Sequence, residues 1–302
     1  MGRRKMNNQE RSQTTLHAER ISQRDKYDPR GAKMRENDTP RAQSDDIFQT
    51  TKSFFVAVGI LPFLLAVAFL ILGLIEPRFW SAENIFNVFR QSSYLSVVAM
   101  AQLLVLLTGN FDLSVGSNIA LVSVVANLIA GDIILRSPDS TILAMTLGAL
   151  GGLAAGTIVG VVNGIGVAYM KVHSFIMTLG TMSVALGVAL LLSSGMPVSG
   201  MPRDFGQIFG YGRFLGIPAP VIATLSILVL LYVMLNWTRF GRHIYSIGSN
   251  IQASRLSGID TQRHLFWAHT LCGIIVAFAA ILLTARVGTG EAHMGNQFAL
   301  SS

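Results

Sequence analysis

Beyond residue 53 the chain is built of long unbroken apolar runs separated by short polar joints. The charged positions bound seven of them: Ser53–Ile75, Gln91–Phe111, Leu113–Gly131, one within Ser140–Met170, one within Val172–Pro202, Phe214–Thr238 and Leu265–Ala285. Each supplies about 20 residues, enough at about 1.5 Å of rise per residue to cross the hydrocarbon core of a bilayer. None alternates polar with apolar, which excludes barrel strands. Helices are then the remaining way to satisfy a backbone in lipid. The pattern predicts an all-α polytopic membrane protein with about seven spanning helices, occupying residues 54–302.

Charge sharpens the division. Of 23 basic and 16 acidic side chains, 12 basic and 8 acidic ones fall in residues 1–53, which show no apolar period. That segment reads as a disordered polar tail. Its Arg3-Arg4-Lys5 is not a twin-arginine signal, because no apolar segment follows closely, and Met34 offers a second possible start. The net charge of +7 does not point to nucleic acid, because the remaining basic residues stand singly at the ends of apolar runs, where they flank lipid. Lys171, Arg239, Arg242, Arg255 and Arg263 on one side nearly balance Arg78, Arg90, Arg136, Arg203, Arg213 and Arg286 on the other. The tail tips the N-terminus toward the cytoplasm. The first run is too long for a signal-peptide core and reads as a retained anchor.

Little points to catalysis. The one cysteine, Cys272, excludes a disulfide framework and reads as a small buried hydrophobe. The six histidines form no cluster with cysteine or carboxylates, so neither a structural metal nor another cofactor is expected. There is no phosphate loop and no facing pair of carboxylates, so the chain is not expected to be an enzyme.

Four features within and between the runs carry information. Gly148, Gly152, Gly156, Gly160 and Gly164 recur every four residues, a stripe without side chains that suits close helix packing or a smooth path. Asp112, in GNFDLSVGS, stands just before a helix start, where its carboxylate can accept free N–H groups of the first turn. A proton or ion relay is the sharper alternative for it. Gln102, Asn118, Asn127, Asn163, Thr178 and Thr181 suit helix–helix hydrogen bonds, and Asn163, Thr178 and Thr181 are also candidates to line a translocation path. The polar segment 236–264 is the longest interruption. In it Asn250 can cap a short helix to Leu256 with Gly258 as its stop, while Ile251, Leu256 and Ile259 form an apolar ridge beside Arg255. Such a helix would either dock in a partner's groove or rest on lipid headgroups.

Three stretches together resemble the membrane-spanning permease subunits of bacterial ATP-binding-cassette importers for monosaccharides, the ribose/xylose/galactoside type. They are LLVLLTGNFDLSVGSNIAL (103–121), NGIGVAYMKVHSFIMTLGTMSVALG (163–187) and TRFGRHIYSIGSNIQASRLSGID (238–260). Asn110, His173 and Ser254 depart from the residues usual in that family. The resemblance runs from about residue 54 to 300. It implies a coupling segment at 236–264 facing the cytoplasm, with Arg239, Gly241, Arg242, Gly248, Asn250, Ala253 and Gly258 seating an ATPase subunit. It further implies a second permease copy, identical or different, a periplasmic sugar-binding protein, a multi-pass place in the inner membrane, and ATP hydrolysis in the separate subunit. Members of the family continue past GNQFAL into further spanning helices, about ten in all, so the chain is expected to lack the C-terminal helices. The alternatives are an ion-coupled secondary transporter, or a permease of the same machinery for a nucleoside, a branched-chain amino acid or a signalling sugar.

Overall fold

The computed structural model describes residues 59–295. The expected tail, the first residues of the first run and the last residues of the chain lie outside that range. Contacts divide the chain after Ile75 into two units. In the first, helix α1 (Leu61–Ile75) is apolar at every position.

The second unit is a bundle of helices. α2 spans Ala82–Leu106, α3 Val115–Arg136, α4 Thr141–Ala168, α5 Ser174–Ser193, α6 Ala219–Trp237, α7 Arg239–Ser249, α8 Ile251–Leu256 and α9 Thr261–Val287. Five of these, α3, α4, α5, α6 and α9, are long and apolar enough to cross a membrane. Of the other two expected spans, α1 is described over only 15 residues, and α2 carries Glu83 and Arg90 in its first half. The chain is an all-α polytopic membrane protein.

Local signals set the helix ends. Ser81 Oγ accepts the Asn84 N–H at 3.3 Å and starts α2 nine residues before the expected run. α3 runs on past Gly131 to Arg136, whose guanidinium pairs with Asp132 at 2.9 Å. α5 stops at Ser193 instead of running toward Pro202, because Ser194 and Gly195 turn left-handed. The chain then pairs Val198 with Gly290. A single helical turn, Arg203–Phe205, leads into a π turn at Gly206–Gly210. The sixth run starts late: Arg213–Phe214 and Ile217–Pro218 form a tight hairpin, with Leu215 and Gly216 at positive φ, and α6 begins only after it.

α9 lies at the centre. Of its most apolar stretch 61% is buried, against 22% for α5 and for α6. It packs on α4, α2 and α3, and α5 covers the far side of α3. The main core joins Val97, Val98, Ala101 and Leu104 of α2, Ile119 and Val122 of α3, Leu231 and Leu235 of α6, and Cys272, Val276 and Ala280 of α9. Cys272 is fully buried there.

Candidate functional site

The loop between α2 and α3 carries the GNFDLSVGS motif into the bundle and is fixed there by polar side chains from three helices. The Asp112 carboxylate, 4% exposed, accepts the Ser114 N–H at 2.9 Å and the Ser114 hydroxyl at 2.6 Å. Asn163 of α4 donates to Ser114 Oγ at 2.8 Å and lies 3.4 Å from both Asp112 oxygens. Gln102 of α2, with its amide nitrogen turned to the Asp112 carbonyl, donates there at 3.3 Å and accepts the Asp112 N–H at 3.2 Å. From α5, Thr178 Oγ1 accepts the Leu113 N–H at 3.1 Å and Ser174 Oγ accepts the Phe111 N–H at 3.3 Å. This node gives nearly every polar group of an irregular backbone a partner away from water, which such backbone requires at membrane depth.

Asp112 holds the start of α3 without being its cap. The N-cap is Ser114, and the carboxylate closes a turn on that residue's N–H instead of reaching the first turn. Thr181 stays outside the node, bonded to its own helix at Met177 O, 3.0 Å away. Asn118 donates to the Gly156 carbonyl at 3.3 Å, and Asn127 ties the segment after α5 to α3 by accepting the Gly200 and Met201 N–H groups.

The glycine stripe of α4 does not keep one direction. At 3.6 residues per turn each step of four advances the stripe by about 40°, so it winds round the helix. A β-carbon on Gly148 would stand 2.8 Å from Ala126 O, and one on Gly152 would stand 3.0 Å from Ala126 Cβ, both on α3. One on Gly156 would meet both Ala277 of α9 (2.5 Å) and Val122 of α3 (2.7 Å). Those on Gly160 and Gly164 would meet α9 alone, at His269 O and Phe266 O, both 2.8 Å away. The stripe hands α4 from one neighbour to the next at backbone contact.

The polar segment after α6 folds as two helices. α7 buries Gly241, Ile244 and Ile247 and exposes Arg239, Arg242 and Tyr245, an i, i+3, i+6 pattern present in the sequence but read there only as a polar joint. Asn250 ends α7 and starts α8, its Oδ1 accepting the Gln252 and Ala253 N–H groups at 3.0 Å each. Ala253 is exposed on α8. Gly258, at φ +80°, stops the helix in a conformation that a side chain would strain. Of the expected ridge, Leu256 is 91% exposed and Ile251 lies at the surface. Ile259 turns inward instead and packs against Ala168, Ile247 and Leu265.

Two glycines dock α7. A β-carbon on Gly241 would overlap the Leu235 carbonyl of α6, and one on Gly248 would overlap the Leu107 carbonyl at the end of α2. Leu107 opens the loop that enters the Asp112 node, so α7 rests directly on the backbone leading to that node.

Beside α7 a cleft of about 940 Å³ is lined by Arg239, Phe240, His243, Gly258, Arg263 and Trp267 among others. His264 Nδ1 lies 2.7 Å from the Asp260 carbonyl, so it carries the proton. Its Nε2 then accepts from His243 Nδ1 at 3.0 Å. Burial first, then His264, Arg242 and Arg239, push the His243 pKa below its usual value of 6.5.

Two buried residues were not legible as such. His269 is fully buried in α9; its Nδ1 donates to Leu265 O at 3.0 Å and its Nε2 has no partner among the described residues. The only signal was a lone histidine within an apolar run. Arg90, expected as a flanking cation, is 4% exposed within α2.

A bundle of apolar helices, an irregular loop held by polar side chains, and a helix pair standing on that loop describe a multi-pass membrane protein. The profile of the family described as branched-chain amino acid transport system / permease component matches residues 84–301, and the chain belongs to that family. It is 37% identical to the ribose import permease protein RbsC of Bacillus subtilis (strain 168) over 243 residues, covering 80% of this chain and 73% of that protein. To the D-allose transport system permease protein AlsC of Escherichia coli (strain K12) it is 32% identical, covering 78% and 70%. To the galactose/methyl galactoside import permease protein MglC of Haemophilus influenzae it is 29% identical, covering 86% and 78%. No solved structure matches the chain significantly.

Proposed function

We propose that this chain is the permease of an ATP-driven importer for a monosaccharide. Two permease copies form the path, an ATPase subunit seats beneath α7 and α8, and a binding protein delivers the sugar from outside. The N-terminus and the α7–α8 pair face the cytoplasm. Three relatives named for ribose, allose and galactosides support the sugar.

The observation that carries the mechanism is the seat of Gly248 on the Leu107 carbonyl. A push on α7 from the ATPase side reaches the loop backbone without passing through flexible side chains. It is transmitted to Asp112, Ser114 and Asn163, and from there to the starts of α3 and α5. Arg239 and Arg242 are exposed and form no ion pair among the described residues, available to acidic groups of the partner. Asn163 and Thr178 stand where such a movement would open or close a path, whereas Thr181 is satisfied within α5.

The test is uptake of labelled D-ribose by cells that lack their own ribose uptake and carry this chain with an ATPase and a binding protein. Arg242→Glu and Gly258→Pro are expected to abolish uptake while the chain still inserts. Normal uptake in both would sink the docking reading. The family description keeps an amino acid in view, and uptake of L-leucine in place of ribose would replace the substrate but keep the machinery.

A further inference from the structure

A polar pocket of about 350 Å³ lies at the other end of the molecule, between the start of α2 and the end of α9. Gln91 stands 16 residues before Leu107, which along a helix is about 24 Å from the seat of α7. α9 runs antiparallel to α2 here: its first turn lines the α7 cleft, and its last turn, through Arg286 and Val287, lines this pocket. With α7 on the cytoplasmic side, the pocket opens to the outside.

Its chemistry suits a neutral, hydroxyl-rich solute. Gln91, Arg286, Glu291 and His293 offer planar donors and acceptors, and Tyr94 forms a wall with the Arg286 guanidinium 5.9 Å from its ring centre. Arg286 and Glu291 line one cavity without forming an ion pair; among the described residues the ion pair is Arg136–Asp132. One Glu291 oxygen accepts from Thr289 at 3.1 Å, which leaves the other to a ligand. The hydroxyl of Tyr94, a pocket residue 1% exposed, has no hydrogen-bond partner among the described residues. Buried orphan polar atoms of this kind cost about 1–3 kcal/mol each and mark places where a partner is missing. Tyr211, whose ring lies 5.5 Å from the Arg90 guanidinium, donates to the Arg286 carbonyl at 3.2 Å and fixes the end of α9 against this corner.

We infer that this pocket is the outer reception site for the sugar, bound through Gln91, Tyr94, Arg286 and Glu291 before it enters the bundle. The inference rests on the importer reading above. Its test is independent of transport. In a Cys272→Ala background, Val287→Cys places one thiol at the exposed rim of the pocket and leaves its polar lining intact. Labelling of that thiol by a water-soluble maleimide is measured in membranes with and without D-ribose. At a sugar concentration about ten times its dissociation constant, labelling is expected to slow about tenfold by mass action. Adding Tyr94→Phe and Arg286→Gln is expected to abolish the protection. No protection by D-ribose, in a chain that supports ribose uptake, overturns the pocket and leaves the importer standing. Protection by L-leucine and not by ribose overturns the sugar assignment of the pocket. Protection by ribose without uptake supports the pocket and rejects the importer reading.

Discussion

The Asp112 node and the α7–α8 segment hold polar residues in opposite ways. At the node, one carboxylate, two side-chain amides and three hydroxyls face one another away from solvent, and nearly every group is used to fix a backbone loop. On α7 and α8 the arginines and Asn250 are at the surface, while Gly241, Ile244, Ile247 and Ser254 face the bundle. Polar side chains in the interior fix the fold, while the arginines and Asn250 of α7 and α8 lie at the surface, where the proposed ATPase subunit would meet them. The seat of Gly248 on Leu107 is where the first kind is exposed to the second.

The largest effect should come from the packing that holds both regions in register. Gly160→Leu drives a side chain into the His269 and Thr270 carbonyls and Gly273, where only backbone stands. Overpacking of this order costs about 3 kcal/mol or more, and loss of the folded species is expected by size-exclusion in detergent. Asp112→Leu comes next. It strips the Ser114 and Asn163 donors of their acceptor, at about 1–3 kcal/mol for each buried group left unpaired. Asp112→Asn keeps one acceptor oxygen and should lose less than half as much melting temperature. If the two variants melt alike, the node is not held by its hydrogen bonds.

The smallest effect is that of pH on the exposed side of the comparison. His243 has a depressed pKa, so the folded state favours its neutral form while the unfolded chain takes up a proton below about 6.5. Its contribution is therefore present above that value and is lost as pH falls from about 6.5 toward the folded value. The charged and titratable groups around it, Arg239, Arg242, Arg263, Asp260 and His264, belong to the same cleft. Melting temperatures between about pH 7.5 and 5.5 should decline less steeply in His243→Gln than in the parent chain.

The sequence carries the helices better than their ends, and the surface better than the interior. Apolar runs named the bundle because length and hydropathy decide spanning. The boundaries moved where turn chemistry outweighed hydropathy: at Ser81, at Ser194–Gly195 and at the Arg213–Pro218 hairpin. Asn250 and Gly258 were readable because capping and left-handed φ are local properties. The meeting of Asp112, Gln102, Asn163 and Thr178 was not, because those residues lie on four separate parts of the chain and only packing joins them. The glycine spacing was visible, but its winding from α3 to α9 needed the positions of both neighbours. His269 and Arg90 looked like ordinary members of an apolar run and its flank.

The most direct test of the link between docking segment and node is Gly248→Ala, with D-ribose uptake and ATP hydrolysis measured on the same assembled importer. A single methyl group there lifts α7 from the Leu107 carbonyl and leaves every arginine, and the whole Asp112 node, unchanged. Uptake should fall about tenfold or more while hydrolysis and the amount of chain in the membrane are retained, the signature of lost coupling between two intact parts. Uptake and hydrolysis that both match the parent would contradict the account, because the push would then reach the bundle by some route other than this contact.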